Sequence, residues 1–188
     1  MKFRDVSRMS RINDAEHSRT LLDSIMLPEV ILALRDWIRA DQAGVLIGAA
    51  ALSFHVRPRS TQDIDLLFLD AAAIPDTVSG FNRISPALFR HDRTGVVVNV
   101  VTPVAIRVPS EIAATVARTA LTSDGVRVAS ESGLVALKLF RLSFQDKADI
   151  VALVKTGRVD LSNVPLTVEK MSAFRELEEL ATTDPHPP

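Results

Sequence analysis

The sequence predicts an α/β (α+β) fold: a small mixed β-sheet flanked by helices, with a helical C-terminal half. Three observations predict it. Stretches with apolar residues at three- and four-residue spacing alternate with short apolar runs bounded by glycine and proline. Hydrophobic residues make up 47% of the 188, enough to bury a core. No internal repeat or clear linker divides the chain. It therefore reads as one domain over 1–188, with a sheet-containing core over about 24–130 and a helical part over about 131–182.

In chain order, residues 1 to about 22 mix charges of both signs and read as a loose arm or a first surface helix. "LPEVILALRDWIRAD" sets Val30, Ile31, Leu34, Trp37 and Ile38 at helical spacing, and Pro28 suits a first turn. "AGVLIGAAALSFHV" reads as a short buried strand, Val45 to Ile47, that breaks at Gly48 into a small-residue helix ending near His55. "RPRST" is a turn and "DIDLLFLD" a strand. "GVVVNVVTP" is a second strand, opened by Gly95 and stopped by Pro103, and "VAIRV" a third short one. "PSEIAATVARTAL" is a helix with Pro109 near its start and Glu111 in its first turn. "GVRVAS" is a short strand. "ESGLVALKLFRLS", "QDKADIVALVKTG" and "VEKMSAFRELEELA" are helices, the second capped by Gly157. The tail "TTDPHPP" reads as frayed.

Bulk properties exclude several functions. A net charge of −1 argues against coating nucleic acid by charge, though not against a local basic site. With no cysteine there is no disulfide framework, thiolate chemistry or zinc–sulfur site. No apolar stretch reaches the ~18 residues that span a bilayer. The polar N-terminus carries no apolar signal core, and a cytoplasmic setting is expected. No tyrosine and one tryptophan, Trp37, argue against an aromatic platform for single-stranded bases. The four histidines, His17, His55, His91 and His186, lack metal-ligand spacing. No G-x-S-x-G or G-x-x-x-x-G-K-[ST] run is present.

The informative stretch is "RPRSTQDIDLLF". Side chains alternate faces along a strand, so Asp63 and Asp65 point the same way, their Cα atoms roughly 6.6–6.8 Å apart. Ile64, Leu66 and Phe68 take the other face and anchor the strand. Two adjacent carboxylates repel each other, and a shared divalent cation relieves the repulsion. Mg²⁺ takes oxygen ligands, commonly one or two carboxylates plus substrate phosphates. One helix upstream, Gly48 lets the backbone approach a ligand closely, and free N–H groups at a helix start attract phosphate. The plain alternative for a D-x-D is a solvated face of an edge strand.

At these residues "LIGAAALSFHVRPRSTQDIDLLF" resembles the nucleotidyltransferase superfamily with the DNA polymerase β-like fold, and within it the AbiEii-type toxins of bacterial toxin–antitoxin pairs. That branch carries a glycine-plus-small-residue helix start, then R-x-T-x-D-I-D-L. Here these are Gly48-Ala49 and Arg59-Ser60-Thr61-Gln62-Asp63-Ile64-Asp65-Leu66. Downstream it has a lysine on an apolar helix and a D-x-x-D pair, matched by Lys138, Asp146 and Asp149. The resemblance covers about residues 45–155. It implies that Gly48 and Ala49 hold a triphosphate through backbone N–H groups, that Asp63 and Asp65 ligate Mg²⁺, and that Lys138 meets phosphate or nucleotide. Arg59, Thr61 and Asp146 are placed with the nucleotide. The implied reaction transfers a nucleoside monophosphate from an NTP to an acceptor such as tRNA or another RNA, with a cognate antitoxin as partner.

Two positions depart from the pattern. Ala49 lacks the hydroxyl that a serine would supply. The neighbouring strand, where a third carboxylate often stands, offers Asn99, a neutral and weaker ligand that cannot act as a general base. The alternative reading is therefore a catalytically degraded protein on the same fold, which binds nucleotide or a protein partner without transfer. Other readings stay open. Lys138 has Leu134, Val135, Arg141 and Leu142 as helical neighbours, so it reaches into a cleft or lays its stem over the core edge. Asp146 and Asp149 share a helix face as site residues or as solvated acids. Arg59 and Thr61 face substrate or brace the turn.

Overall fold

Along α1 (Pro28–Arg39) the residues Val30, Ile31, Ala33, Leu34 and Trp37 are buried, the stripe its spacing predicts. The structure, a computed structural model, describes residues 26–40, 43–57, 61–123 and 125–183. The N-terminal segment, Arg59 and Ser60 of the turn, and residues 184–188 lie outside these. After α1 come β1 (Val45–Ile47), α2 (Gly48–Leu52), β2 (Asp63–Leu67), β3 (Phe81–Ser85), β4 (Leu88–His91) and β5 (Val97–Val101). The chain continues through α3 (Ser110–Arg118), β6 (Leu121–Ser123), β7 (Val126–Val128), α4 (Glu131–Arg141), α5 (Phe144–Val154) and α6 (Val168–Thr183).

The strands form one mixed seven-stranded sheet in the order β3-β4-β5-β2-β1-β7-β6. The acid-bearing β2 is its central strand, antiparallel to β1 and parallel to β5. One face carries Ile64, Leu66, Val98, Val100 and Phe89, all at most 3% exposed. Trp37 of α1 packs on this face, its ring meeting Phe81 and Phe89 edge-on at 5.2 and 5.3 Å. The other face is divided. Toward β1 it is backed by α2, against which α4 packs, and α4 in turn packs on α3, α5 and α6. Toward β4 it is open: Arg90 and Asn82 are exposed and Leu88, Val97 and Asn99 half-buried.

The structure corrects two sequence expectations. The "VAIRV" run is a turn over 103–107, not a strand. Arg107 adopts φ 56°, Val104 is 84% exposed, and the Val108 N–H bonds the Pro103 carbonyl at 2.9 Å. The helix read to Leu121 ends at Arg118, because Leu121–Ser123 pairs with β7 in a hairpin. The structure also adds the β3–β4 hairpin, two strands that the sequence analysis does not place.

Candidate active site

Asp63 and Asp65 project from β2 on the divided face, at the border between its covered and open halves. Asp63 is exposed and Asp65 half-buried. Among the described residues no cation pairs with either. Burial pushes the Asp65 carboxyl above the usual carboxylate range. The Asn99 hydrogen bond pulls it back, and the neighbouring Asp63 charge raises it further. Two same-face acids, one of them partly desolvated and neither ion-paired among the described residues, make a donor set suited to an oxygen-seeking divalent cation. No group of three or more His, Cys, Asp or Glu able to hold a metal occurs among the described residues.

Gly48 is held against this pair. It opens α2 directly after β1, where Ile47 stands opposite Asp65, and it takes φ 69°. A Cβ there would lie 2.1 Å from Asp65 Oδ2. The glycine is thus required twice, by the left-handed backbone and by the carboxylate. Gly48→Ala is expected to cost about 1–3 kcal/mol of stability, the usual penalty for a non-glycine residue in strained backbone, and to push the Asp65 carboxylate aside. Urea unfolding checks this, and an alanine variant as stable as the native chain would contradict the close approach.

On the opposite side of β2, Asn99 of β5 is in register with Asp65, and its Nδ2 donates to Asp65 Oδ1 at 3.0 Å. The expected third-acid position therefore does face the pair, occupied by an amide. Thr61 Oγ1 stands 3.4 Å from the Asp63 N–H and 3.3 Å from its carbonyl, so it braces the entry to β2. Ala49 is half-buried in the first turn of α2.

The downstream motif is organised differently from the solvated alternatives. Lys138 is 6% exposed, and its ammonium donates to Asp149 Oδ2 at 2.6 Å and Asp146 Oδ1 at 3.3 Å. Asp146 has no exposed surface. Arg141 grips it through Nε and an Nη, each at 2.6 Å, and Ser143 completes a capping box at the start of α5. Burial would raise the Asp146 carboxyl, but the Arg141 and Ser143 hydrogen bonds and the Lys138 charge outweigh it and hold it well below the carboxylate range. The fully enclosed Asp146 carboxylate is turned to Lys138, Arg141 and Ser143. Lys138 likewise lies in an internal ion-pair network, not in an open cleft. The exposed cation of this network is Arg141, its side chain 70% exposed and within electrostatic reach of Asp65. Arg141 owes its exposure to the bend between α4 and α5, where Leu142 takes φ 50°, a feature that the apolar spacing along α4 does not signal.

The two histidines among the described residues hold structural contacts. His91 is 1% exposed, clamped between Thr94 Oγ1 at 2.7 Å and Asp36 Oδ2 at 3.0 Å, and Arg93 also binds Asp36. His55 contacts the Ala129 carbonyl at 2.7 Å and Glu131 Oε1 at 3.2 Å. An open cleft of about 390 Å³ adjoins Asp63, lined by Leu27, Glu29, Gln62, Thr94 and Val97 among others.

A D-x-D pair on the central strand of a mixed sheet, beside a glycine that opens a helix, is what the resemblance to the nucleotidyltransferase superfamily implies. A family model agrees over most of the chain. Residues 27–184 match the family described as nucleotidyltransferase of unknown function (DUF6036), and the chain belongs to it. No curated protein matches the chain. No helix among the described residues is long and apolar enough to cross a membrane.

Proposed function

We propose that this protein transfers a nucleoside monophosphate from an NTP to an acceptor in a Mg²⁺-dependent reaction. The observation that carries the reading is the Asp63–Asp65 pair: same-face carboxylates on the central strand, without a cation partner among the described residues, one of them packed on Gly48. Bound with the nucleotide, Mg²⁺ would neutralise charge developing on the phosphates. Asp63 and Asp65 would hold that metal, while Asn99 holds Asp65 Oδ1 and the second oxygen lies against Gly48. Gly48 and Ala49 present backbone N–H groups to the phosphates. Arg141 adds an exposed positive charge nearby, while Lys138 and Asp146 hold it in position from below. The R-x-T-x-D-I-D-L resemblance supports the finer reading, an AbiEii-type toxin with an RNA acceptor such as tRNA and a cognate antitoxin.

The test is incubation with each α-labelled NTP, Mg²⁺ and total RNA. Label that moves to RNA only with Mg²⁺ supports the reading. Absence of transfer with every NTP and acceptor opposes it.

Asn99 is the observation that favours the second reading, a protein that binds nucleotide without transfer. Asn99→Asp separates the two. It places a carboxylate about 3 Å from Asp65, so the ligand-free protein should lose about 1–3 kcal/mol of stability by like-charge repulsion. Under the enzymatic reading Mg²⁺ and NTP recover that loss in thermal unfolding, and transfer persists or rises. A variant destabilised equally with and without them favours binding alone.

A further inference from the structure

Arg90 stands on the same face of the sheet as the acid pair, although nothing in the sequence motifs includes it. The register fixes this. Arg90 of β4 is opposite Val97 of β5, and Val97 is opposite Asp63 of β2. Cross-strand partners share a face, so Arg90, Val97 and Asp63 form one row across three strands. Two strand spacings separate Arg90 from Asp63, about 9.5 Å between backbones. The adjacent row runs Leu88, Asn99, Asp65 and Ile47, the residue just before Gly48.

A surface arginine is ordinarily a solvated charge, but this one differs from its neighbours. Arg83 is committed to Asp76, at 2.6 Å, and Arg93 to Asp36. Arg90 is exposed and has no ion-pair partner among the described residues. Nor do the described elements cover the open face around it.

The chemistry gives this face a direction. In a phosphoryl transfer the attacking and leaving oxygens lie roughly in line through phosphorus. On the reading above, Gly48 and Ala49 place the departing pyrophosphate on the β1 side of Asp65. The nucleophile must then arrive from the opposite side, over β5 and β4. A nucleic-acid end entering there carries its own phosphates past Asn99 toward Arg90. We propose that the open face of β5 and β4 is the acceptor-binding surface, and that Arg90 binds a backbone phosphate of a nucleic-acid acceptor beside its reacting end. The proposal rests on the transferase reading and adds to it the side of acceptor entry and a residue that meets the acceptor. The nucleophile is an acceptor hydroxyl. Its oxygen forms the new bond to the α-phosphorus as the bond to pyrophosphate breaks, and its proton leaves to water.

The experiment compares native protein with Arg90→Ala, Arg90→Lys and Arg90→Glu. It uses two measurements: NTP binding by calorimetry, and anisotropy of fluorescent total tRNA across a salt series. Arg90 is exposed on a strand, so the variants should melt close to the native protein. Expected are NTP binding within twofold of native, tRNA binding weakened about tenfold by Arg90→Ala and more by Arg90→Glu, and partial recovery with Arg90→Lys. Loss of one phosphate contact should lower the slope of log affinity against log salt by about 1. Unchanged tRNA affinity and slope would overturn the proposal. So would NTP binding that falls in parallel, which would put Arg90 on the donor side. Failure of the native protein to bind any NTP would instead sink the transferase reading, while the tRNA arm still decides whether Arg90 meets phosphate.

Discussion

Asp146→Asn is expected to destabilise the protein by about 3–5 kcal/mol, the cost of breaking a buried charge network on one side only. The carboxylate accepts from Arg141 twice, from Lys138, and from the Ser143 hydroxyl and backbone N–H. Asparagine keeps the shape but replaces one oxygen with a donor that faces donors. It also leaves Lys138, 6% exposed, with Asp149 as its remaining carboxylate. Chemical denaturation measures the loss, and a change below about 1 kcal/mol would show that the network is not coupled as described. The pH dependence follows from the same group. Its carboxyl is depressed in the folded protein, so its contribution is fully present above the unfolded value near 4 and is lost as pH falls below it. The native protein should therefore lose stability from about pH 5 downward, and Asp146→Asn should flatten that part of the profile.

Much of this arrangement is legible in the sequence because it is local. The break at Gly48, the alternation of Asp63 and Asp65 against Ile64 and Leu66, and the shared face of Asn99, Val97 and Val101 all follow from strand period and glycine geometry. The helices from Glu131 onward follow from apolar spacing and caps. What stayed hidden depends on contacts between distant segments. "FNRISPALFRH" offers few apolar positions to the core, chiefly Phe81 and Phe89, so its alternation is too weak to announce a hairpin. Arg90 could not be placed without it. "VAIRV" has strand-like residues, yet Thr102 and Pro103 accept hydrogen bonds from Ile106 and Val108 and close the turn instead. The apolar neighbours of Lys138 are visible along its helix, but its partners sit on the next helix, brought round by a left-handed Leu142. Arg59 lies outside the described residues, and its part in the turn is unassigned.

The largest effect on binding is expected from Asp63→Asn with Asp65→Asn. Native protein should bind an NTP at least about tenfold more tightly with Mg²⁺ than without, a gain of ~1.4 kcal/mol or more. The double variant should lose the whole gain while keeping its fold. Asp63 is exposed, and an asparagine at 65 still offers Asn99 an acceptor oxygen. Its stability at neutral pH should even rise. A half-buried carboxyl whose pKa is raised in the folded state weakens folding as pH climbs from the unfolded value near 4 through the folded one, and asparagine removes that loss. A melting temperature at or above the native value therefore separates loss of the site from loss of structure. The deciding measurement is calorimetric titration of NTP into the native protein and the double variant, each with and without Mg²⁺. A Mg²⁺-dependent gain present in the native protein and absent from an equally stable variant is the predicted result. The same gain in both would contradict the assignment of Asp63 and Asp65 as the metal-binding pair.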